Sequence, residues 1–162
     1  MDKILLPLEE KQVEGSVIFL AGPVTGAENW QNDAAKAIQG LSKDIYIANP
    51  RKEWNKGEYV YEPFMDWELY YLERAAKKGV ILFWLGNEKT HDCKRPFAQT
   101  CRFELGEWIT KHIKDNVNVV IGIDTDFSGS VYVERRIKKD CPDLPVVYSL
   151  EEACEIAVKM CE

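Results

Sequence analysis

The chain has 162 residues, of which 46% are hydrophobic and 30% charged, and its formal net charge at pH 7 is −6. This size and composition predict a single globular domain over residues 1–162, with a core large enough to need no disulfide or metal staple. The acidic balance excludes an extended surface for a nucleic-acid polymer, which requires a basic face, and no run reaches the roughly 20 apolar residues of a membrane span.

The first predicted element is a buried strand over residues 17–21, where an apolar run ends in the turn of Gly22 and Pro23. Apolar residues at helical spacing predict a helix over 29–41. A second strand is predicted over 45–48, where an Asn-Pro pair ends the apolar run.

The middle of the chain contains the strongest strand signal. An aromatic loop over 51–62 leads to a helix predicted over 63–78, which begins at a proline suited to a first helical turn. The continuous apolar run 80–85 predicts a central strand that is covered on both faces. A polar loop over 86–101 then precedes a helix predicted over 102–114.

The last third repeats the alternation of strand and helix. A strand is predicted over 117–122, and the Ser-Gly-Ser turn at 128–130 leads into a helix that ends near residue 139. The short strand predicted over 144–147 belongs at a sheet edge, because its proline cannot donate to a ladder. Ser149 has the features of the N-cap of a final helix, with a glutamate three residues on.

Five strands alternating with five helices predict an α/β fold, a flavodoxin-like doubly wound five-stranded parallel sheet with helices on both faces. Ligands of such sheets bind beyond the carboxyl ends of the strands, near the switch in strand order. The loops expected to line a site are therefore 22–29, 49–62, 85–103 and 123–131.

The loop that begins at Gly22 and Pro23 has two interpretations. Its glycines let a backbone approach a sugar or phosphate closely, and the helix that follows offers free amide donors. It is equally an ordinary strand-to-helix turn. Because neither a dinucleotide-binding glycine pattern nor a Walker sequence occurs, we expect no cofactor.

Glu104 lies near the start of the helix predicted over 102–114. A carboxylate in a first turn faces the positive end of the helix dipole, which favours its ionised form. An ionised carboxylate in a strand-end cleft has the chemistry of a glycosyl-transferring nucleophile. The alternative is a charge that only stabilises the helix terminus and points to water.

The sequence Asp66-Trp67-Glu68 supplies candidate acids on the preceding helix. Glu68 can act as a proton donor if a neighbouring carboxylate raises its pKa. The alternative is a solvated acidic face. Several aromatic residues of the cleft loops either stack on a base or pack the core: Trp30, Trp54, Tyr59, Tyr61 and Trp67.

Ser128 and Ser130 form the turn after the fourth predicted strand. Hydroxyls and amides at a helix start can hold a phosphate or a 5′-hydroxyl, with Arg102, Arg135 and Arg136 as possible cations. The alternative is common turn chemistry without a ligand.

Cysteine and histidine usage indicates no metal or disulfide framework. The five cysteines are odd in number and lack CxxC spacing, which is typical of reduced thiols in a cytosolic protein. Residues 1–20 lack the pattern of a signal peptide, so we expect a cytoplasmic protein. With only His91 and His112, no zinc site is predicted, and the loop segment around Asp92 and Cys93 is interpreted as polar loop.

Three blocks of the chain, in order, resemble the nucleoside 2-deoxyribosyltransferase superfamily. Residues 18–23 resemble its first strand and substrate loop. Residues 67–84 resemble its second helix and third strand, and residues 102–107 resemble its glutamate-leucine-glycine signature. The last block is the most specific, and the three together are stronger than any one.

The resemblance implies that Glu104 attacks the anomeric carbon of a nucleoside and that Glu68, with Asp66 in reserve, handles the departing base. A second base accepts the sugar in a transferase, whereas water accepts it in a nucleotide N-hydrolase. A non-catalytic nucleotide-binding domain on the same fold is a further alternative. The residues expected to line the substrate site are Ala21, Gly22, Pro23, Trp67, Arg102, Ser128 and Ser130.

The implied partners are a small nucleoside or nucleotide and a free nucleobase, with no nucleic-acid polymer and no membrane. The resemblance also implies a homo-oligomer, a dimer or higher. No metal is expected in the site.

Overall fold

The computed structural model describes residues 3–9 and 11–162. It contains a six-stranded sheet in the order β1-β3-β2-β4-β5-β6, and every neighbouring pair of strands is parallel. The strands are β1 (Ile4–Leu5), β2 (Val17–Ala21), β3 (Tyr46–Ala48), β4 (Gly79–Leu85), β5 (Val119–Ile123) and β6 (Val146–Val147). The helices are α1 (Trp30–Leu41), α2 (Tyr61–Lys77), α3 (Gln99–Asp115), α4 (Ser130–Asp140) and α5 (Leu150–Cys161).

The two faces of the sheet carry separate cores. Successive side chains of a strand point to opposite faces, so Phe19 and Phe83 pack with α2, α3 and α4, whereas Leu20 and Leu82 pack with α1 and α5. The connection from β2 to β3, which contains α1, and the connection from β4 to β5, which contains α3, step in opposite directions along the strand order, and their helices cover opposite faces. A single hand of crossover requires that arrangement.

The doubly wound α/β class is confirmed, but the strand number is corrected from five to six. The additional strand, β1, consists of Ile4 and Leu5, which pair with Ile47 and Ala48 of β3. Two apolar residues make no periodic pattern, so only their pairing with a distant segment identifies them as a strand. β6 lies at the opposite edge of the sheet, as its proline predicted.

The starts of two helices differ from the prediction. α2 begins at Tyr61 rather than at 63, and α3 begins at Gln99 rather than at 102. Neither helix has a side-chain N-cap, and α3 starts from Ala98 in the left-handed conformation, with φ of 56°. Because no capping residue marks these starts, the sequence pattern locates them imprecisely. The earlier start of α3 places Glu104 in the second turn rather than the first.

The remaining boundaries lie close to their predicted positions. Ser149 caps α5 as expected, since its hydroxyl accepts a hydrogen bond from the backbone N–H of Glu152 at 3.1 Å. Over the described residues, no helix combines the length and apolar character that crossing a membrane demands.

Candidate active site

All strands of the sheet are parallel, so the loops that follow them gather at one edge. The chain leaves β2 toward β3 on one side and leaves β4 toward β5 on the other, so the strand order switches between β2 and β4. This is the position where doubly wound sheets bind ligands. α2 and α3 both begin from loops at this edge and both cover the same face.

The structure brings Glu68 of α2 and Glu104 of α3 into electrostatic contact. Each side chain keeps some exposure to solvent, yet its carboxyl group is surrounded by protein. Burial raises the pKa of Glu68 to about 7. Burial, followed by repulsion from Glu68 and Glu107, raises the pKa of Glu104 to about 8. The two helices therefore form a carboxyl pair that binds protons near neutral pH.

This result corrects the expectation that the helix dipole keeps Glu104 ionised. The dipole acts mainly within the first turn of a helix, and Glu104 lies beyond the first turn of α3. Loss of solvent and a nearby second carboxylate both disfavour the charged form, so the pKa rises. For Glu68 the predicted direction is correct, although burial is the cause.

Apolar side chains surround the pair. Phe64 lies one helical turn before Glu68, and its ring stacks on that of Trp67, with centroids 6.5 Å apart. On α3, Cys101 lies one turn before Glu104, and burial, together with the charge of Glu104, raises the pKa of its thiol to about 12. The surroundings thus strengthen electrostatic interactions.

Asp66, the reserve acid of the sequence analysis, is exposed and stands apart from the pair. It lies two residues from Glu68, and residues two apart on a helix do not face each other. The structure therefore does not bring Asp66 to Glu104.

The loop after β2 packs against β4 and is hydrogen-bonded to α1. Ala21 is buried, and Gly22 adopts φ of 154°, where an added Cβ would lie 2.3 Å from the carbonyl oxygen of Trp84. The carbonyl of Pro23 accepts a hydrogen bond from the indole N–H of Trp30 at 2.9 Å. Only glycine fits between this loop and β4, as its position in the sequence indicated.

The aromatic residues divide into two groups. Trp30 and Trp67 are buried and pack the two cores, one on each face of the sheet. Trp54 and Tyr59 contact each other, with ring centroids 5.3 Å apart, and both contact Phe64. The indole N–H of Trp67 is buried with no acceptor among the described residues. Tyr61, the first residue of α2, is 63% exposed.

A second polar site lies beside the end of β5. The Arg102 guanidinium donates to the carbonyl oxygen of Ser128 at 2.9 Å and lies over the ring of Phe127 at 4.5 Å. Ser130 is buried at the start of α4, after Gly129 with φ of 84°. The structure thus brings Arg102 to Ser128, and Ser130 begins α4 two residues further on.

The other two predicted cations point elsewhere. Arg136 hydrogen-bonds Asp140 at 2.8 Å and Tyr132 at 2.9 Å on its own helix, and Arg135 is exposed. His91, Asp92 and Cys93 lie exposed in the loop after β4. Across residues 3–9 and 11–162, no three histidine, cysteine or acidic side chains are grouped as metal ligands.

A residue that the sequence analysis did not single out is Arg51, in the loop after β3. Its guanidinium donates to the carbonyl oxygens of Val24 and Ala27, the latter at 3.1 Å. Its position directly after Asn49-Pro50, within a loop already expected to line the site, was the available signal.

The chain belongs to the nucleoside 2-deoxyribosyltransferase-like family, whose model matches residues 15–127. The matched region runs from β2 past the end of β5 and includes both Glu68 and Glu104. Membership confirms the resemblance inferred from the sequence and indicates a nucleoside deoxyribosyltransferase-like function. A comparison with curated proteins found no match.

Proposed function

We propose that this protein cleaves the N-glycosidic bond of a deoxynucleoside through a covalent intermediate on Glu104 and transfers the deoxyribosyl group to a second base. The observation that carries the proposal is the Glu68–Glu104 pair, two carboxyl groups enclosed by protein on neighbouring helices at the switch in strand order. Glycosyl transfer with retention uses such a pair, one member as nucleophile and the other as acid and base.

In the first step, the ionised carboxylate of Glu104 attacks the anomeric carbon of the sugar. The bond from that carbon to the base nitrogen breaks, and its electron pair stays on the base. Glu68 transfers its proton to the departing base, which leaves as a neutral molecule. The products of this step are a sugar ester of Glu104, an ionised Glu68 and a free base.

The reaction needs one proton in the pair. Burial raises the pKa of both Glu68 and Glu104, and repulsion from Glu68 adds to the rise at Glu104, so the pair retains a proton near neutral pH. The reactive form has that proton on Glu68. Positive charge that develops at the anomeric carbon in the transition state is stabilised by ionised Glu104, which favours reaction through this form.

In the second step, a nitrogen of another base attacks the anomeric carbon and displaces Glu104 as a carboxylate. Glu68 accepts the proton that the incoming base releases, which restores the starting state. If water attacks instead, the same residues perform hydrolysis.

A nucleoside 5′-monophosphate N-hydrolase is a second candidate, and Arg102 beside Ser128 favours it. Arg102 has no carboxylate partner among the described residues, and its partner Ser128 lies just before the start of α4 at Ser130. A cation and a helix start together suit a phosphate.

The test is incubation of the protein with a deoxynucleoside, with and without a second free base, followed by chromatography of the products. Formation of a new nucleoside only with added base supports transfer, whereas free sugar without added base supports hydrolysis. The same experiment with the 5′-monophosphate tests the second candidate.

Variants of the pair separate catalysis from binding. We expect Glu104→Ala to abolish base release while nucleoside binding, measured by calorimetry, persists. Glu73→Gln, a change at an exposed position of α2, is the matched control and should keep full activity. Unchanged turnover in Glu104→Ala would contradict the proposal. If the unaltered protein binds the nucleoside without turning it over, a non-catalytic nucleotide-binding domain is favoured instead.

A further inference from the structure

Arg51 connects two loops of the candidate site. It follows β3, and its guanidinium reaches the loop after β2, where one nitrogen donates to the carbonyl oxygens of both Val24 and Ala27. Its own backbone is held as well, because the Asn49 side chain accepts a hydrogen bond from the Arg51 N–H at 2.9 Å. The arginine therefore joins the start of the β3–α2 connection to residues 22–28, hereafter the substrate loop.

The partners of Arg51 are unusual for a partly buried cation. Burial lowers the pKa of Arg51, and no carboxylate forms an ion pair with it in the part of the chain that the structure describes. Hydrogen bonds in which the donor is charged are roughly twice as strong as neutral ones. The guanidinium thus donates to two backbone carbonyls of the loop, and that of Val24 also accepts a hydrogen bond from the Ala27 N–H at 3.3 Å.

The substrate loop is held from its other side by the β4–α3 connection. The carbonyl of Gly26 accepts hydrogen bonds from the backbone N–H groups of Lys89 at 2.7 Å and Thr90 at 3.1 Å. Gly26 has φ of 78°, and an added Cβ would lie 2.9 Å from the carbonyl oxygen of Thr90. Of the two connections that grip the loop, one leads to the helix of Glu68 and the other to the helix of Glu104.

We propose that Arg51 is a positioning residue that holds the substrate loop in the conformation that receives the sugar, an inference that rests on the proposed function. A guanidinium is more weakly hydrated than a lysine ammonium, which suits a partly buried cation that donates to two backbone carbonyls. Loss of the guanidinium leaves the Val24 and Ala27 carbonyls without this donor, and the loop then samples other conformations. Substrate binding has to restore the loop, which weakens affinity.

The test compares Arg51→Met and Arg51→Lys with the control Arg135→Met, an exposed arginine on α4. We expect Arg51→Met to raise KM for the deoxynucleoside about tenfold with kcat changed less than about threefold, because a loop that orders on binding affects affinity first. Arg51→Lys should fall between Arg51→Met and the unaltered protein, and Arg135→Met should match the unaltered protein.

A merely structural role predicts a different result. Partial unfolding lowers kcat per total protein and leaves KM unchanged, and that outcome for both Arg51 variants would overturn the proposal. Hydrogen exchange of the ligand-free protein supplies a second measurement. We expect faster exchange of the Lys89 and Thr90 amides in Arg51→Met, with unchanged exchange in α5.

The hydrogen-exchange result also separates this inference from the proposed function. If the unaltered protein turns over no nucleoside, the proposed function fails, and exchange still reports whether Arg51 orders the loop. If turnover is present and exchange at Lys89 and Thr90 is the same in Arg51→Met and Arg135→Met, the positioning role is wrong while the proposed function stands.

Discussion

The two faces of the sheet differ in what their helices cover. α1 and α5 pack against each other and against a continuous apolar surface that includes Ile38, Leu82 and Ala157. On the opposite face, α2 and α3 each bring a glutamate to the pair of Glu68 and Glu104, among aromatic and aliphatic side chains. Two enclosed carboxyl groups of like charge oppose folding whenever both are ionised.

This difference indicates which face of the sheet carries the candidate site. A face selected only for stability has no reason to enclose two acids, since apolar residues of similar size would pack there at lower cost. Strongly raised pKa values of two interacting carboxyl groups instead mark a candidate functional site. Apart from Trp30, which hydrogen-bonds the loop after β2, the α1–α5 face serves as the internal reference, because changes there should affect folding without affecting the chemistry.

The largest expected effect is on activity. Glu104→Gln removes the nucleophile with little change of shape, so base exchange should fall by about 10³-fold or more. The measurement is the initial rate of new nucleoside formation, beside Glu73→Gln. A rate within a few fold of the unaltered protein would show that the pair is not the reacting centre.

The next largest effect is expected on the free energy of unfolding, from a substitution on the α1–α5 face. Leu20 is fully buried between the sheet and the α1–α5 layer, so Leu20→Ala should lower the free energy of unfolding by about 2–5 kcal/mol. Urea unfolding measures this loss, while KM of the folded protein should stay the same. A large change in KM would mean that the two faces are not independent.

Stability should also depend on pH through the pair. In the folded protein the pKa values of Glu68 and Glu104 lie above that of an unfolded glutamate, so the folded state binds more protons between about pH 4.5 and 8. The free energy of unfolding therefore falls as pH rises through this window, and the penalty is complete above it.

Removing the titrating groups tests this prediction. In the double variant Glu68→Gln with Glu104→Gln, neither side chain can ionise. Its stability relative to the unaltered protein should therefore increase from pH 5 to pH 8.5. The expected increase is about 2 kcal/mol after allowance for residual solvent screening. Urea unfolding at a series of pH values measures the difference. A constant difference across the range would contradict raised pKa values in the folded state.

The smallest effect concerns the phosphate candidate. If Arg102 contacts a 5′-phosphate, Arg102→Met should raise KM for the 5′-monophosphate about tenfold and leave KM for the nucleoside nearly unchanged. Arg136→Met, at an arginine engaged on its own helix, is the control. Equal changes for both substrates would assign Arg102 to loop packing against Ser128 and Phe127 alone.

The helices and strands that have local sequence signals could be predicted from the sequence alone. The uninterrupted apolar runs predicted β2 and β4, the proline before β6 predicted an edge strand, and Ser149 predicted the start of α5. Backbone propensity, capping and hydrophobic pattern act within a few residues, so such features can be read directly. The three blocks in order, of which that around Glu104 is the most specific, also indicated the family.

The protonation and the contacts of the site residues depend on the tertiary structure. The sequence interpretation expected an ionised Glu104, whereas enclosure between helices and the nearby Glu68 raise its pKa. The sequence interpretation preferred Glu68 to Asp66 by resemblance alone, and of these two only the charge of Glu68 acts on Glu104. Arg51 acquires its place from carbonyls of another loop. Burial, charge contacts and loop partners depend on residues far apart in the chain, which local patterns do not encode.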